Sequence, residues 1–132
     1  QRVHKWIDEK TVSQRFDAIN NFEKLLTHNG TVILKFYMHV SQEAQLERLE
    51  ERKTNPEKMW KHKDQDWEER KLWKQYINAY EDVFKNCSKA APWHVIPTDH
   101  NWYKEFLIAQ KVRDALKDLK LEYPKLITNI KK

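Results

Sequence analysis

Three observations predict an α/β fold: two short runs of β-branched and aromatic residues, a helix-period segment after each, and turn residues between them. Thr31 to Val40 carries Val32, Ile33, Leu34, Phe36, Tyr37 and Met38 between Gly30 and Ser41, and Trp93 to Ile96 is a second run closed by Pro97. Bounded runs of this kind read as strands, and apolar character on both faces reads as parallel pairing. The order helix, strand, helix pair, strand, helix then describes part of a layered sheet with helical crossovers. Sheets usually have about four to six strands. The two found here therefore place the missing strands upstream of Gln1.

Each element has a local reason. Thr11 with Gln14, or Ser13 alone, can cap a first helix in which Phe16, Ile19, Phe22 and Leu26 recur at three- and four-residue spacing; Asn29-Gly30 ends it. Ser41 is a natural N-cap with Glu43 in the first turn, opening a helix to about Lys53 with Leu46 and Leu49 on one side. Thr54-Asn55-Pro56 stops it, and Glu57 to Lys63 is irregular and basic. A long helix is predicted from about Asp64 to Asn86 on the stripe Trp73, Tyr76, Ile77, Tyr80, Val83 and Phe84. Ala90-Ala91-Pro92 breaks the chain before the second strand. The last helix, about Trp102 to Leu119, is expected to bury Ile108, Val112, Ala115, Leu116 and Leu119, and Tyr123-Pro124 opens a tail.

Composition excludes several functions. With 132 residues the chain makes one modest domain, and 12% aromatic content, including six tryptophans, argues for a packed core despite 34% charged residues. Gly30 is the single glycine, where average usage would give roughly nine. Phosphate-cradling and dinucleotide loops need several glycines, so neither is present. The longest apolar stretch is interrupted by Lys35 and falls far short of the about 20 residues that cross a bilayer. The first residues have neither an apolar signal core nor an initiator Met, so the start reads as a cut inside a longer protein. Cys87 is alone, which excludes an internal disulfide and fits a reducing cytoplasm.

Chemistry concentrates in one segment. Arg48 and Arg52 lie one helical turn apart, and paired guanidinium forks suit phosphate oxygens. Lys58, Lys61, Lys63, Arg70, Lys71 and Lys74 follow, so two helices folded back as a hairpin could aim several cations into one cleft. Positions 47 to 74 nevertheless carry nine cations and eight anions, which also describes a solvated face laced with ion pairs. Trp60, Trp67 and Trp73 could stack on a base or staple the core. Asp66 stands amid the cations. Pro97-Thr98-Asp99-His100-Asn101 follows a strand directly, where open α/β sheets hold ligands, although Asp99 could equally cap the last helix. The six histidines show no metal-ligand spacing, and His39 reads as an interior or edge side chain of its strand.

The residues resemble the C-terminal part of the polyphosphate kinase 2 family of P-loop kinases. The resemblance runs from about Arg2 to Leu119 and is carried by Ile19-Asn20-Asn21-Phe22-Glu23, Leu34-Lys35-Phe36, His39-Val40-Ser41, Gln45 and Arg48 to Arg52. It continues through Trp60-Lys61, Asp66, Arg70, Trp73, Tyr76, Tyr80-Glu81, Ala91-Pro92-Trp93, Ile96-Pro97, Asp99-His100 and Trp102. It implies the C-terminal portion of a three-layer α/β/α P-loop kinase sandwich with a helical lid, here about residues 48–74. Arg48, Arg52, Lys61, Lys63 and Arg70 are then expected to grip substrate phosphates; Trp60 and Asp66 share the lid motif, and Asp99 and His100 fall on a loop near the nucleotide. The family's Walker A loop and its Mg²⁺-binding aspartates would precede Gln1, so Gln1 to His4 matches the segment just after Walker B and no catalytic residue is expected here. Lys63 stands where the family more usually has serine, and Asn101 where lysine is common, which bears on phosphate contacts and nucleotide preference. Packing around Ile33, Phe36 and Ile96 is expected to leave apolar surface for the missing half.

The implied activity is Mg²⁺-dependent phosphoryl transfer between polyphosphate and ADP or AMP, in a homo-oligomeric cytoplasmic parent, with this chain inactive by itself. A nucleoside monophosphate kinase relative is the alternative among enzymes. A non-catalytic module holding RNA or another polyanion is the alternative outside them, disfavoured by a net charge of only +5 and by acids interleaved with the cations.

Overall fold

The computed structural model describes residues 1–125, and the tail beyond Tyr123-Pro124 falls largely outside them. Five α-helices and two strands follow one another: α1 (Glu9–His28), β1 (Lys35–His39), α2 (Gln42–Thr54), a 3-10 turn (Met59–Lys61), α3 (Gln65–Lys71), α4 (Trp73–Asn86), β2 (Trp93–Pro97) and α5 (Asn101–Asp118). β1 and β2 pair in parallel from Lys35 opposite Trp93 to His39 opposite Pro97. The predicted α/β class holds, with α2 to α4 forming the crossover that parallel strands require.

The helix ends follow from side-chain chemistry. Asp8, rather than Thr11 or Ser13, caps α1: its carboxylate accepts the Thr11 N–H at 2.7 Å. Thr11 thus lies inside the first turn and supplies the donor instead of the acceptor. At the other end Gly30 adopts φ +83°, its N–H reaches the Thr27 carbonyl and the Thr31 N–H reaches the Leu26 carbonyl. This left-handed cap is where a glycine is required, and the chain's one glycine sits there. Ser41 caps α2 as predicted, accepting the Ala44 N–H.

The predicted long helix is two. Leu72, at φ −91° and ψ 10°, ends α3 with its N–H on the Glu69 carbonyl three residues back, and α4 starts at Trp73. The ladder tightens for one turn with no Gly or Pro to announce it. The aromatic stripe survives: Tyr37 of β1 lies 4.5 Å from Tyr80 and 5.1 Å from Phe84, and Phe84 lies 5.7 Å from Trp93 of β2.

Val12, Leu49, Cys87, Ala91 and Ile96 are the fully buried apolar residues. A buried ion pair joins the layers. Lys35 Nζ sits 2.7 and 2.8 Å from the Glu23 carboxylate oxygens of α1 and 2.5 Å from the Cys87 carbonyl, which also accepts the Trp93 indole N–H at 3.0 Å.

Two burial expectations need correction. Val112, Leu116 and Leu119 of α5 are exposed, and Trp102 is 70% exposed, because helical periodicity supplies an apolar stripe but nothing among the described residues covers this one. Open apolar surface on the sheet falls on Met38 and Val95, not on Ile96, which is buried, or on Ile33 and Phe36, which are half-buried. No described helix is long and apolar enough to cross a membrane.

Candidate phosphate-binding hairpin

The site grows from the carboxyl ends of the two strands, where parallel sheets present their loops to ligands. Thr98 donates both its N–H (2.8 Å) and its hydroxyl (3.0 Å) to the His39 carbonyl, locking the exits of β1 and β2 together. His39 itself is exposed on its strand. Asp99 Oδ1 accepts the Ser41 N–H at 2.8 Å. Asp99 therefore ties the start of α2 to the end of β2 instead of capping α5, whose N-cap is His100 without a side-chain bond. That donated N–H, with Arg48 and His100 nearby, holds the Asp99 carboxyl below the usual aspartate range.

Arg48 completes the lock. Its Nη2 donates to the Thr98 carbonyl and, at 3.2 Å, to the Asp99 carbonyl. One turn on, Arg52 Nη1 lies 2.8 Å from Asp66 Oδ2 of α3. Arg70 reaches back from α3 to the Gln42 carbonyl (2.8 Å) and Gln45 Oε1 (2.7 Å) near the start of α2. Arg52 with Asp66, and Gln42 and Gln45 with Arg70, define an antiparallel hairpin. The predicted hairpin exists, and its arginines also hold it shut. Sequence spacing could not supply that detail, because the acceptors lie 14 to 51 positions away.

The turn of the hairpin is the open part. Trp60 is 78% exposed, its indole N–H on the Glu57 carbonyl and Lys61 Nζ 4.9 Å from the ring centroid. Lys58 pairs with Glu51 at 2.5 Å and holds its carboxyl below the usual glutamate range. Lys53 lies 3.9 Å over Trp67, which is half-buried like Trp73. Lys61 and Lys63 are exposed at the same turn. Trp60 is thus the one of the three tryptophans free to stack, while Trp67 and Trp73 pack.

A second cluster, missed by sequence reasoning, anchors the hairpin. Glu69 Oε2 of α3 accepts the Tyr76 hydroxyl at 2.5 Å and faces His4 Nε2 at 3.0 Å, and Arg2 bridges Glu9 and Asp82. The bond to Glu69, then burial, pushes the Tyr76 hydroxyl up to about 12, and the same bond draws the Glu69 carboxyl down. A raised phenol pKa stabilises the fold fully below its unfolded value near 10, and that stabilisation is lost as pH rises through about 12. An ultraviolet titration of tyrosine ionisation should therefore contain a late component, and Tyr76→Phe should remove a component centred near 12. Its persistence in that variant would show that Tyr76 ionises normally.

Among the described residues no three His, Cys, Asp or Glu side chains come together as a metal requires, so Mg²⁺ has no ligand set within them. The carboxylates of the hairpin are occupied instead by Arg52, Lys58 and His4.

The family model described as Polyphosphate kinase 2 matches residues 1–124. The chain belongs to the polyphosphate kinase 2 family. It is 40% identical over 124 residues to the AMP/ADP-polyphosphate phosphotransferase of Meiothermus ruber, covering 93% of this chain and 46% of that protein. It is 46% identical over 112 residues to the uncharacterized protein in chlN 3'region of Leptolyngbya boryana, covering 84% of this chain and 82% of that one. Among solved structures, the polyphosphate kinase 2 of Arthrobacter aurescens TC1 superposes with a TM-score of 0.88 at 37% identity, over 95% of this chain and 45% of that chain. The chain thus spans about half the length of the Meiothermus and Arthrobacter relatives. That superposition confirms the α/β architecture of a polyphosphate kinase 2.

Proposed function

We propose that this chain supplies the phosphate-gripping lid, about residues 48–74, of a polyphosphate:nucleotide phosphotransferase that moves phosphate between polyphosphate and ADP or AMP. The observation that carries the reading is the match over residues 1–124 to a family whose Meiothermus ruber member is an AMP/ADP-polyphosphate phosphotransferase. The geometry agrees: a hairpin bearing Arg48, Arg52, Lys61, Lys63 and Arg70 hangs beside the carboxyl ends of two parallel strands, with Asp99 and His100 on the adjoining loop. Phosphoryl transfer asks a protein chiefly to position two anionic partners and offset their charge, and a cationic hairpin able to move serves both needs. Metal dependence belongs to the family; Mg²⁺ is the proposed ion, held by residues other than those described. The parent is proposed to be cytoplasmic and homo-oligomeric.

Neither alternative has a structural observation of its own. Against RNA binding stand the carboxylate and carbonyl partners of Arg48, Arg52 and Arg70. The deciding assay is polyphosphate-driven ATP formation from ADP, and ADP formation from AMP, with Mg²⁺. A longer protein containing this chain is expected to turn over; the chain alone, with one glycine and hence no Gly-rich phosphate loop, is expected not to. Turnover by the purified chain would refute its proposed inactivity. No turnover by the folded longer protein would refute the phosphotransferase reading.

A further inference from the structure

The five cations assigned to phosphate are not equally free. Arg48 donates to two backbone carbonyls, and Arg70 to a carbonyl and an amide oxygen. Lys61 lies over the Trp60 ring, and Lys63 has no ion-pair partner among the described residues. Arg52 differs from the other four in facing a carboxylate. Its Nη1 sits 2.8 Å from Asp66 Oδ2, with the two side chains 33% and 34% exposed. A carboxylate oxygen and a phosphate oxygen make the same charge-assisted bond to a guanidinium fork, so they compete for it.

We propose that Asp66 is a positioning residue that holds Arg52 in the place of a phosphate, so that polyphosphate engages Arg52 by displacing the Asp66 carboxylate. The proposal rests on the reading of this hairpin as a phosphate grip. Three observations support it. The pair is water-accessible, and exposed pairs contribute little enough for a polyanion to exchange with them. Arg70, on its own two acceptors, keeps α3 tied to the start of α2 when the Arg52 bond opens. Lys53, Lys61 and Lys63 crowd the same turn, and a carboxylate among them offsets cation repulsion while no phosphate is bound.

The test is calorimetric titration of this chain with long-chain inorganic polyphosphate, comparing the unaltered protein, Asp66→Asn and Arg52→Gln. Asp66→Asn keeps the side-chain shape, removes the competing charge and is expected to bind roughly twofold to fivefold tighter. Arg52→Gln is expected to bind more weakly than the unaltered chain. If Arg52→Gln weakens binding while Asp66→Asn binds equally or more weakly, the grip stands and Asp66 is only a strut, which overturns the proposal. If the unaltered chain binds no polyphosphate, or Arg52→Gln makes no difference, the grip reading itself fails at Arg52 and the proposal with it. A measurement on the unaltered chain needs no variant to fold: the Asp66 side-chain carboxyl carbon resonance should move toward its solvent-exposed position as polyphosphate is added. A resonance that stays put at saturation would overturn displacement.

Discussion

Lys35→Met is expected to destabilise the fold by about 3–5 kcal/mol, the range for removing one partner of a buried ion pair. The side chains of Lys35 and Glu23 are 11% and 9% exposed, and the ammonium also serves the Cys87 carbonyl at 2.5 Å. Its removal leaves a carboxylate without a counter-ion between α1 and β1, and withdraws one of two donors from the turn that leads into β2. For a domain with total stability of about 5–15 kcal/mol, that is a large share. Urea unfolding followed by helical circular dichroism measures it. The double variant Lys35→Met with Glu23→Leu is expected to recover most of the loss, since replacing both charges by apolar groups removes the desolvation penalty together with the attraction. A single variant within about 1 kcal/mol of the unaltered chain would mean that water reaches Glu23 once Lys35 is gone.

Legibility divides along a physical line. Features fixed by neighbours in sequence were readable: the Ser41 cap, the Asn29-Gly30 stop, both strands and their parallel pairing follow from residues within one or two turns. The Asp8 cap was misread because Thr11-Gln14 satisfies the same capping rule three positions later, and only the path of the preceding chain separates the two. The break at Leu72 carries no Gly or Pro, and the contacts that accompany it, Glu69 with Tyr76 and with His4, span 7 and 65 positions. The open stripe of α5 was taken for core because periodicity reports that a helix has an apolar face, not that the same chain covers it. For the hairpin, the residue types were legible and their partners were not. Arg48 and Arg52 are one turn apart, yet one holds a loop 50 positions away and the other a carboxylate 14 positions away.

That difference in partners makes separable predictions for the cations. Lys61→Gln combined with Lys63→Gln is expected to weaken polyphosphate binding about tenfold and to lower the dependence of log affinity on log salt by about one to two, because each cation on a flexible polyanion releases roughly one counter-ion. Stability should stay within about 0.5 kcal/mol, as for other exposed substitutions that remove no structural contact. Arg48→Gln should behave otherwise. Its guanidinium holds the Thr98 and Asp99 carbonyls, and the same loop carries the Asp99 bond to Ser41 and the Thr98 bonds to His39. Losing the charged donor is expected to lower stability by about 1–3 kcal/mol and to loosen the junction from which the hairpin projects. Binding and stability would then fall together for Arg48, and binding alone for the lysine pair, when calorimetric titration and urea unfolding are run on the same samples. If the lysine pair leaves both affinity and salt slope unchanged, polyphosphate does not cross the Trp60 turn and its path runs along the arginine side of the hairpin.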